Sequence, residues 1–431
     1  MNDGKIVVGI DVGTSKIVTV IAKVDEEAVN VLGVSEVPSS GIRKGQIVDI
    51  DEAVLSINNS LEAAERMAGY SASHVISSIG GSHIESLNSK GVVAVARPEG
   101  EITANDITRV IDAAKAISMP SSREIIHVLP RTYSVDGQEG IKDPIGMTGV
   151  RLEVDTHIIS ANGVTIKNME KAFSEVGVDL DAVVFSGYAS SLAVLSDTEK
   201  ELGVVLVDIG AGTTDIAIFV DGSIAYSSVL PVGARHITND LAIGLRISLE
   251  SAEKIKIFLS TPKKQLKITE EGEEEKPREK SDEIDLAPLN LIEELNKVSQ
   301  KTLIDGIIRP RLNELFTMIG LEIKKSGFVG QTPSGLVITG GGAQTIGVAE
   351  AAKRMLAMPV RVAMPASIKG IIDEIQYPSF ATVIGLVMYG RTTEAPSPLP
   401  FGFSFPPLPF SLKMGNKWFS KGISFFKSFL P

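Results

Sequence analysis

VVLVDIGAGTTDIAIFV, residues 204–220, reads as an apolar strand ending in Asp208, a turn carrying Gly210, Gly212, Thr213 and Thr214, and then an alternating strand. The same design stands at residues 7–21, VVGIDVGTSKIVTVI, with Asp11, Gly13, Thr14, Ser15 and Lys16 along its turn. A chain that builds one small device twice points both copies at one object. Glycine has no Cβ to block close approach, so such turns let backbone N–H groups crowd round an anion. The threonines add hydroxyl donors, and Asp11 and Asp208 stand where a carboxylate holds Mg²⁺ through its water shell. Two facing lobes would then grip a polyphosphate from both sides. A single D-x-G is also an ordinary turn. The second copy, and a third Gly-rich strand-to-helix turn at Gly340, Gly341 and Gly342, point to a nucleotide.

Composition excludes other classes. The 431 residues are 43% apolar and 22% charged, the profile of a soluble globular protein with room for two or more cores. There is no cysteine, and the five histidines (74, 83, 127, 157 and 236) show no metal-ligand spacing. A net charge of −11 argues against nucleic acid as partner. The chain runs straight into a strand, so no secretory signal is expected, and no apolar run is long enough to span a bilayer. Residues 270–285, EEGEEEKPREKSDEID, hold nine acids against three bases, a net of −6, and read as a solvated loop. After Glu394 the only charges are Lys413, Lys417, Lys421 and Lys427.

Elsewhere strands and helices alternate. KIVVGIDVG, KIVTVIAKV and NVLGVSEV are expected as three successive strands, and DEAVLSINNSLEAAERMAG as an amphipathic helix capped by Asp51 and ended by Gly69. The pattern restarts at LGVVLVDIG, which predicts two αβ lobes, each opening on the repeated hairpin. At the other end, TTEAPSPLPFGFSFPPLPFSLK has six prolines and reads as an extended linker. The closing MGNKWFSKGISFFKSFLP wheels into an amphipathic helix. Its apolar half includes Trp418, Phe419, Ile423, Phe425, Phe426, Phe429 and Leu430, and its polar half is basic, which suits an anionic lipid interface.

GIDVGTSK, VVLVDIGAGTTDIAIF and LVITGGGAQTIG resemble the two phosphate motifs and the adenosine motif of the actin, Hsp70 and sugar-kinase superfamily. RKGQIVDIDEAV, QEGIKDPIGMTGVRLEVDTHII, VVFSGYASSLAVL and PSFATVIGLVMYG narrow the resemblance to the bacterial FtsA cell-division family, from residue 5 to about 391. The resemblance implies a two-lobed α/β actin-like fold with RNase H-like lobes. Subdomain 1A would comprise 1–83, 160–198 and 371–391, with 1C inserted at 84–159. Subdomain 2A would comprise 199–240 and 306–370, and 2B 241–305, followed by a linker at 392–413 and a membrane helix at 414–431. It implies ATP with Mg²⁺ as ligand, adds Gly233 to the nucleotide set, and assigns Glu253 and Lys256 of SAEKIK to the nucleoside. Lys16 either contacts phosphate or stabilises the closed hairpin.

The resemblance further implies an adaptor that polymerises on the cytoplasmic face of the inner membrane at the division site. It would bind the C-terminal peptide of the tubulin-like FtsZ, with Lys301 and Arg311 as candidate contacts, and later division proteins through 1C. Ser186 and Gly187 stand where filamentous relatives carry an activating Glu or Gln, so slow hydrolysis at best is expected. A type IV pilus assembly adaptor and a small-molecule kinase are the alternatives. The amphipathic tail counts against both.

Overall fold

The computed structural model describes residues 4–25, 28–96, 100–261, 282–293, 295–366, 368–370 and 375–392. All belong to the first of two units, Met1–Glu394; the second is Ala395–Pro431. The tail positions from Trp418 to Leu430 and most of the acidic 270–285 stretch therefore lie outside the described residues.

The first hairpin is β1 (Lys5–Val12) and β2 (Lys16–Val24), with β3 (Val29–Pro38) added antiparallel beside it. A short hairpin, β4 (Ile42–Arg43) and β5 (Gln46–Ile47), leads into helix α1 (Ile50–Ala68). The cap of α1 is Asp49, not Asp51. Asp49 has extended backbone (φ −138°), and its carboxylate accepts the Glu52 N–H at 3.1 Å. Asp51 instead sits in the first turn, where a negative charge faces the positive end of the helix dipole. Gly69 ends the helix at φ +63°, its N–H bonded to the Glu65 carbonyl at 2.8 Å. β6 (His74–Ile79) then runs parallel to β1.

A separate sheet follows, built from β7 (Glu85–Ala94), β8 (Arg123–Val135), β9 (Gln138–Ile141) and β10 (Arg151–Asn162) in the order β7-β10-β8-β9. Helix α2 (Ala104–Lys115) covers it, and Val110 and Ala114 join Leu152 and Val154 in a small core of its own. The chain re-enters the first lobe through α3 (Gly163–Val176), β11 (Asp179–Phe185), α4 (Ser186–Val194) and α5 (Asp197–Leu202).

The second lobe repeats the opening with β12 (Val204–Ile209), β13 (Thr214–Val220) and β14 (Ser223–Leu230). Helices α6 (Arg235–Leu245) and α7 (Leu249–Ser260) and the small pair β15 (Glu283–Asp285) and β16 (Lys297–Ser299) come next. A π-helical turn, Thr302–Ile308, runs into α8 (Arg309–Ser326). Pro310 has no N–H to return to the Gly306 carbonyl, which accounts for the wider turn there. β17 (Leu336–Thr339), α9 (Val348–Leu356) and β18 (Val360–Val362) complete the sheet β14-β13-β12-β17-β18. β19 (Ile368–Gly370), placed from sequence at the end of the second lobe, pairs instead with β3 and extends the first sheet. Helix α10 (Ala381–Thr392) is the last element among the described residues.

β13 was expected to alternate, yet every residue of β12 and β13 is buried. Both faces of this sheet are covered, as in parallel sheets. Val204, Leu206, Ala217 and Phe219 face a core continuous with the first lobe, while Val205, Val207, Ile216 and Ile218 face the second lobe's own core. Between the lobes α10 crosses α4 at Gly385, where a Cβ would overlap the Ala189 carbonyl.

A candidate nucleotide cleft

The two turns are closed by the same backbone hydrogen bond. Gly13 donates its N–H to the Lys16 carbonyl at 3.1 Å, and Gly210 donates to the Thr213 carbonyl at 2.9 Å. The turns meet across the lobes: a Cβ on Gly212 would lie 2.9 Å from the Thr14 hydroxyl oxygen. Behind them lie two adjoining cavities. The outer, of about 1050 Å³, takes its walls from Ser15, Lys16, Arg235, Glu253, Lys256, Gly342 and Phe380 among others. The inner, of about 100 Å³, is closed by Asp11, Gly13, Thr14, Gly45, Gly80, Ser186, Asp208, Gly210, Thr213, Asp215, Gly340 and Thr382. Thr14, Ser15, Lys16, Ala211, Gly341 and Ser379 belong to both.

Most of the expected nucleotide residues therefore converge. Three do not reach the space. Thr214 is fully buried and gives its hydroxyl to the Val232 carbonyl at 2.7 Å. Gly212 packs on Thr14, and Gly233 packs on the carbonyls of Gly210 and Ala211, where a Cβ would clash. These three shape the second turn from behind. Gly340, at φ +84°, leans on the Asp208 carboxylate, leaving no room for a side chain.

Lys16 is held at the mouth of the inner cavity by Glu36 at 2.5 Å, with its ammonium 4.9 Å from the centre of the Phe380 ring. Glu253 and Lys256 pair with each other at 2.8 Å on the outer wall, and Lys256 also donates to Thr238 at 2.9 Å. Arg311 was expected to meet an acidic partner. It is already committed, forked onto Asp240 at 2.6 and 2.8 Å and bonded to Glu314 at 2.6 Å. Lys301 is exposed.

Asp215 was missed from sequence. It stands opposite Asp208 in the β12–β13 ladder, whereas the residue opposite Asp11 in the first copy is Val18. The second copy thus carries an extra carboxylate, and the DIGAGTTD spacing was the available signal. Burial pushes the Asp208 carboxyl up to about 6, opposed by the Thr382 hydroxyl, which donates to it at 2.9 Å. Burial also raises Asp11, against a hydrogen bond from Ser78 at 2.6 Å. Asp215 rises well above the usual range through burial and the nearby charges of Asp208 and Asp11, and its Oδ1 is buried with no partner. Three carboxylates lining one small cavity, one of them with an orphaned acceptor oxygen, suit a cation brought in with its own ligands. Among the described residues, no group of three His, Cys, Asp or Glu could hold a metal.

Two lobes that each open on a β-hairpin, with helices α4 and α10 crossing between them and a cleft where the two hairpin turns meet, define an actin-like fold. Solved structures agree. The PilM–PilN type IV pilus biogenesis complex superposes with a TM-score of 0.63 at 14% identity, covering 90% of this chain and 99% of that one. The ethanolamine utilization protein EutJ of Carboxydothermus hydrogenoformans gives 0.52 at 17% identity, covering 90% of each chain. At these identities the likeness is one of fold. Family models go further: "SHS2 domain inserted in FTSA" matches residues 81–160, and "Cell division protein FtsA" matches residues 205–385. The cell division protein FtsA of Pseudomonas aeruginosa is 38% identical over 403 residues, covering 92% of this chain and 91% of that protein. FtsA of Escherichia coli is 33% identical over 400 residues, covering 91% and 92%. The chain belongs to the FtsA family of cell division proteins.

Proposed function

We propose that this chain is an ATP-binding, membrane-attached adaptor that anchors FtsZ filaments at the division site and polymerises there. The crowding of Asp11, Asp208 and Asp215 at the closed end of the cleft carries the nucleotide reading. Those carboxylates are ionised together only at a cost, which a cation held beside Asp11 and Asp208 would offset. Bound Mg²⁺ would supply charge neutralisation at the terminal phosphates. Backbone N–H groups of the two turns hold the phosphates, and the Glu253–Lys256 pair faces the nucleoside. Hydrolysis is slow, because Ser186 at the inner end is no base and burial raises the Asp215 carboxyl, which opposes its ionisation.

In the same reading, residues 84–159 are subdomain 1C, which binds the next subunit and later division proteins. FtsZ's C-terminal peptide docks on 2B beside Lys301. The tail from Trp418 to Leu430 lies in the anionic inner leaflet. The fold alone would equally suit a pilus adaptor, but the 38% identity to an FtsA favours division.

A thermal shift with Mg-ATP tests the cleft. Asp208→Ala weakens Mg²⁺ retention and Gly341→Asp fills the nucleoside space, so neither variant is stabilised by ligand. Stabilisation equal to the wild type in either would misplace the cleft. Joint pelleting with anionic liposomes and FtsZ tests the adaptor role.

A further inference from the structure

Hairpin β4–β5 touches both the cleft and the root of the inserted sheet. Gly45, at its tip, forms part of the inner cavity and donates its N–H to the Thr14 hydroxyl at 3.1 Å. Gly45 is wedged against the Gly80 carbonyl, with φ +75° and no room for a Cβ. The neighbouring Gln46 reaches away from the cleft, its amide nitrogen 3.0 Å from Nδ1 of His83. Burial, and the cation of Arg123, push His83 down to about 4, so the ring is neutral. With Nδ1 accepting from Gln46, the ring proton sits on Nε2, which is buried and has no partner. An orphaned donor of this kind costs free energy and marks a contact that another arrangement would satisfy better.

From His83 the contacts continue into the insert. Arg123, at the start of β8, donates to the His83 carbonyl at 3.0 Å and to the Ser160 carbonyl at 2.9 Å, and pairs with Glu85 at 3.0 Å. One guanidinium thus clamps the strands by which the inserted domain leaves and rejoins the first lobe.

We propose that hairpin β4–β5 senses the terminal phosphate and that Gln46, His83 and Arg123 carry its position to the root of the inserted domain. The proposal rests on the nucleotide reading above. A phosphate at the inner end offers the Gly45 N–H a stronger, charged acceptor than the Thr14 hydroxyl. Gly45 then turns from Thr14 to the phosphate, Gln46 moves with it, and the His83–Arg123 clamp re-sets. ADP, lacking the terminal group, leaves the Gly45–Thr14 bond in place. The exposed face of the insert thereby reports which nucleotide is bound.

Hydrogen exchange on the full chain with Mg-ATP and with Mg-ADP tests this. Segments 7–18 and 204–216 report binding, and segments 83–94 and 123–130 report the root. In the wild type, exchange at the root changes at least fivefold between Mg-ATP and Mg-ADP. In Gln46→Ala, and independently in His83→Asn, the turns stay protected by Mg-ATP while the root no longer distinguishes the nucleotides. A wild-type root indifferent to the nucleotide, with the turns protected, overturns the relay alone. So does a full root response in both variants. Turns that neither nucleotide protects overturn the nucleotide reading and the relay together.

Discussion

Ser86, in the inserted sheet, takes both outward backbone groups of Ser227 in the second lobe: its hydroxyl donates to the carbonyl at 2.7 Å and accepts the N–H at 3.1 Å. Two residues along β7, Asn88 donates to the Ala225 carbonyl at 3.1 Å, and His157 bridges Asn88 at 2.7 Å and Ser227 at 3.0 Å. β14 is an edge strand, and side chains of β7 stand in for the missing neighbour. The insert is therefore rooted in the first lobe and rests on the second.

Ser86→Ala with Asn88→Ala would leave buried backbone groups of β14 unsatisfied, at about 1–3 kcal/mol each. Chemical denaturation should show a loss of that order, with Mg-ATP binding retained. Removing residues 84–159 should go further, baring the edge and lowering solubility. A deletion that stays monodisperse and fully stable would show the seam to be dispensable.

The cleft carboxylates predict a trade of stability for binding. The folded carboxyl of Asp208, at about 6, lies above the unfolded value, so its charge costs stability as pH rises through that range. Asp208→Asn should stabilise the ligand-free protein by roughly 2–3 kcal/mol near pH 7, by the 1.4 kcal/mol per unit conversion, and by almost nothing near pH 4. The same variant should lose its Mg-ATP thermal shift. Equal stability of variant and wild type from pH 4 to 7 would mean the site is better solvated than it looks.

His83, His127 and His157 act in the opposite sense. Burial lowers them to about 4, 4 and 3. The unfolded chain takes up their protons first, so stability should fall as pH drops from about 6.5 towards those values. His127→Phe should flatten the acid limb, at the cost of the imidazole's bond to the Phe185 N–H at 3.0 Å.

Both hairpins, the strand that follows the first of them and the Gly-rich third turn were legible because they rest on local patterns: apolar runs, Gly at tight turns, Asp at strand ends. What stayed hidden depends on cross-chain placement. Asp215 sits in an apolar strand like any other and becomes part of the site only through its ladder position opposite Asp208. Thr214 looked like a phosphate donor, yet the neighbouring loop claims its hydroxyl. Arg311 looked like a free cation on a helix, and Asp240, 71 residues away, could not be paired with it from sequence.

That ion pair is a quarter exposed on both sides, which limits its worth. Arg311→Ala should cost about 1 kcal/mol by denaturation and leave affinity for the FtsZ C-terminal peptide unchanged. Lys301→Ala should weaken that peptide by anisotropy while leaving stability unchanged. A tenfold loss of peptide affinity in Arg311→Ala at full stability would return the arginine to the partner surface.

Residues 393–431 lie outside the described residues, and the sequence of the tail carries its chemistry. Burying a large apolar side chain contributes roughly 1.5–3 kcal/mol, and each lysine near an anionic surface about 1 kcal/mol. The aromatic face from Trp418 to Phe429 would therefore supply most of the lipid affinity. Trp418→Glu with Phe426→Glu puts two charges on that face and opposes the negative surface potential as well. The double variant should stay in the supernatant with anionic vesicles yet keep its Mg-ATP thermal shift. Trp418 is the chain's only tryptophan, so wild-type fluorescence should shift to the blue when anionic vesicles are added. A spectrum that does not move would mean that this segment does not enter the bilayer.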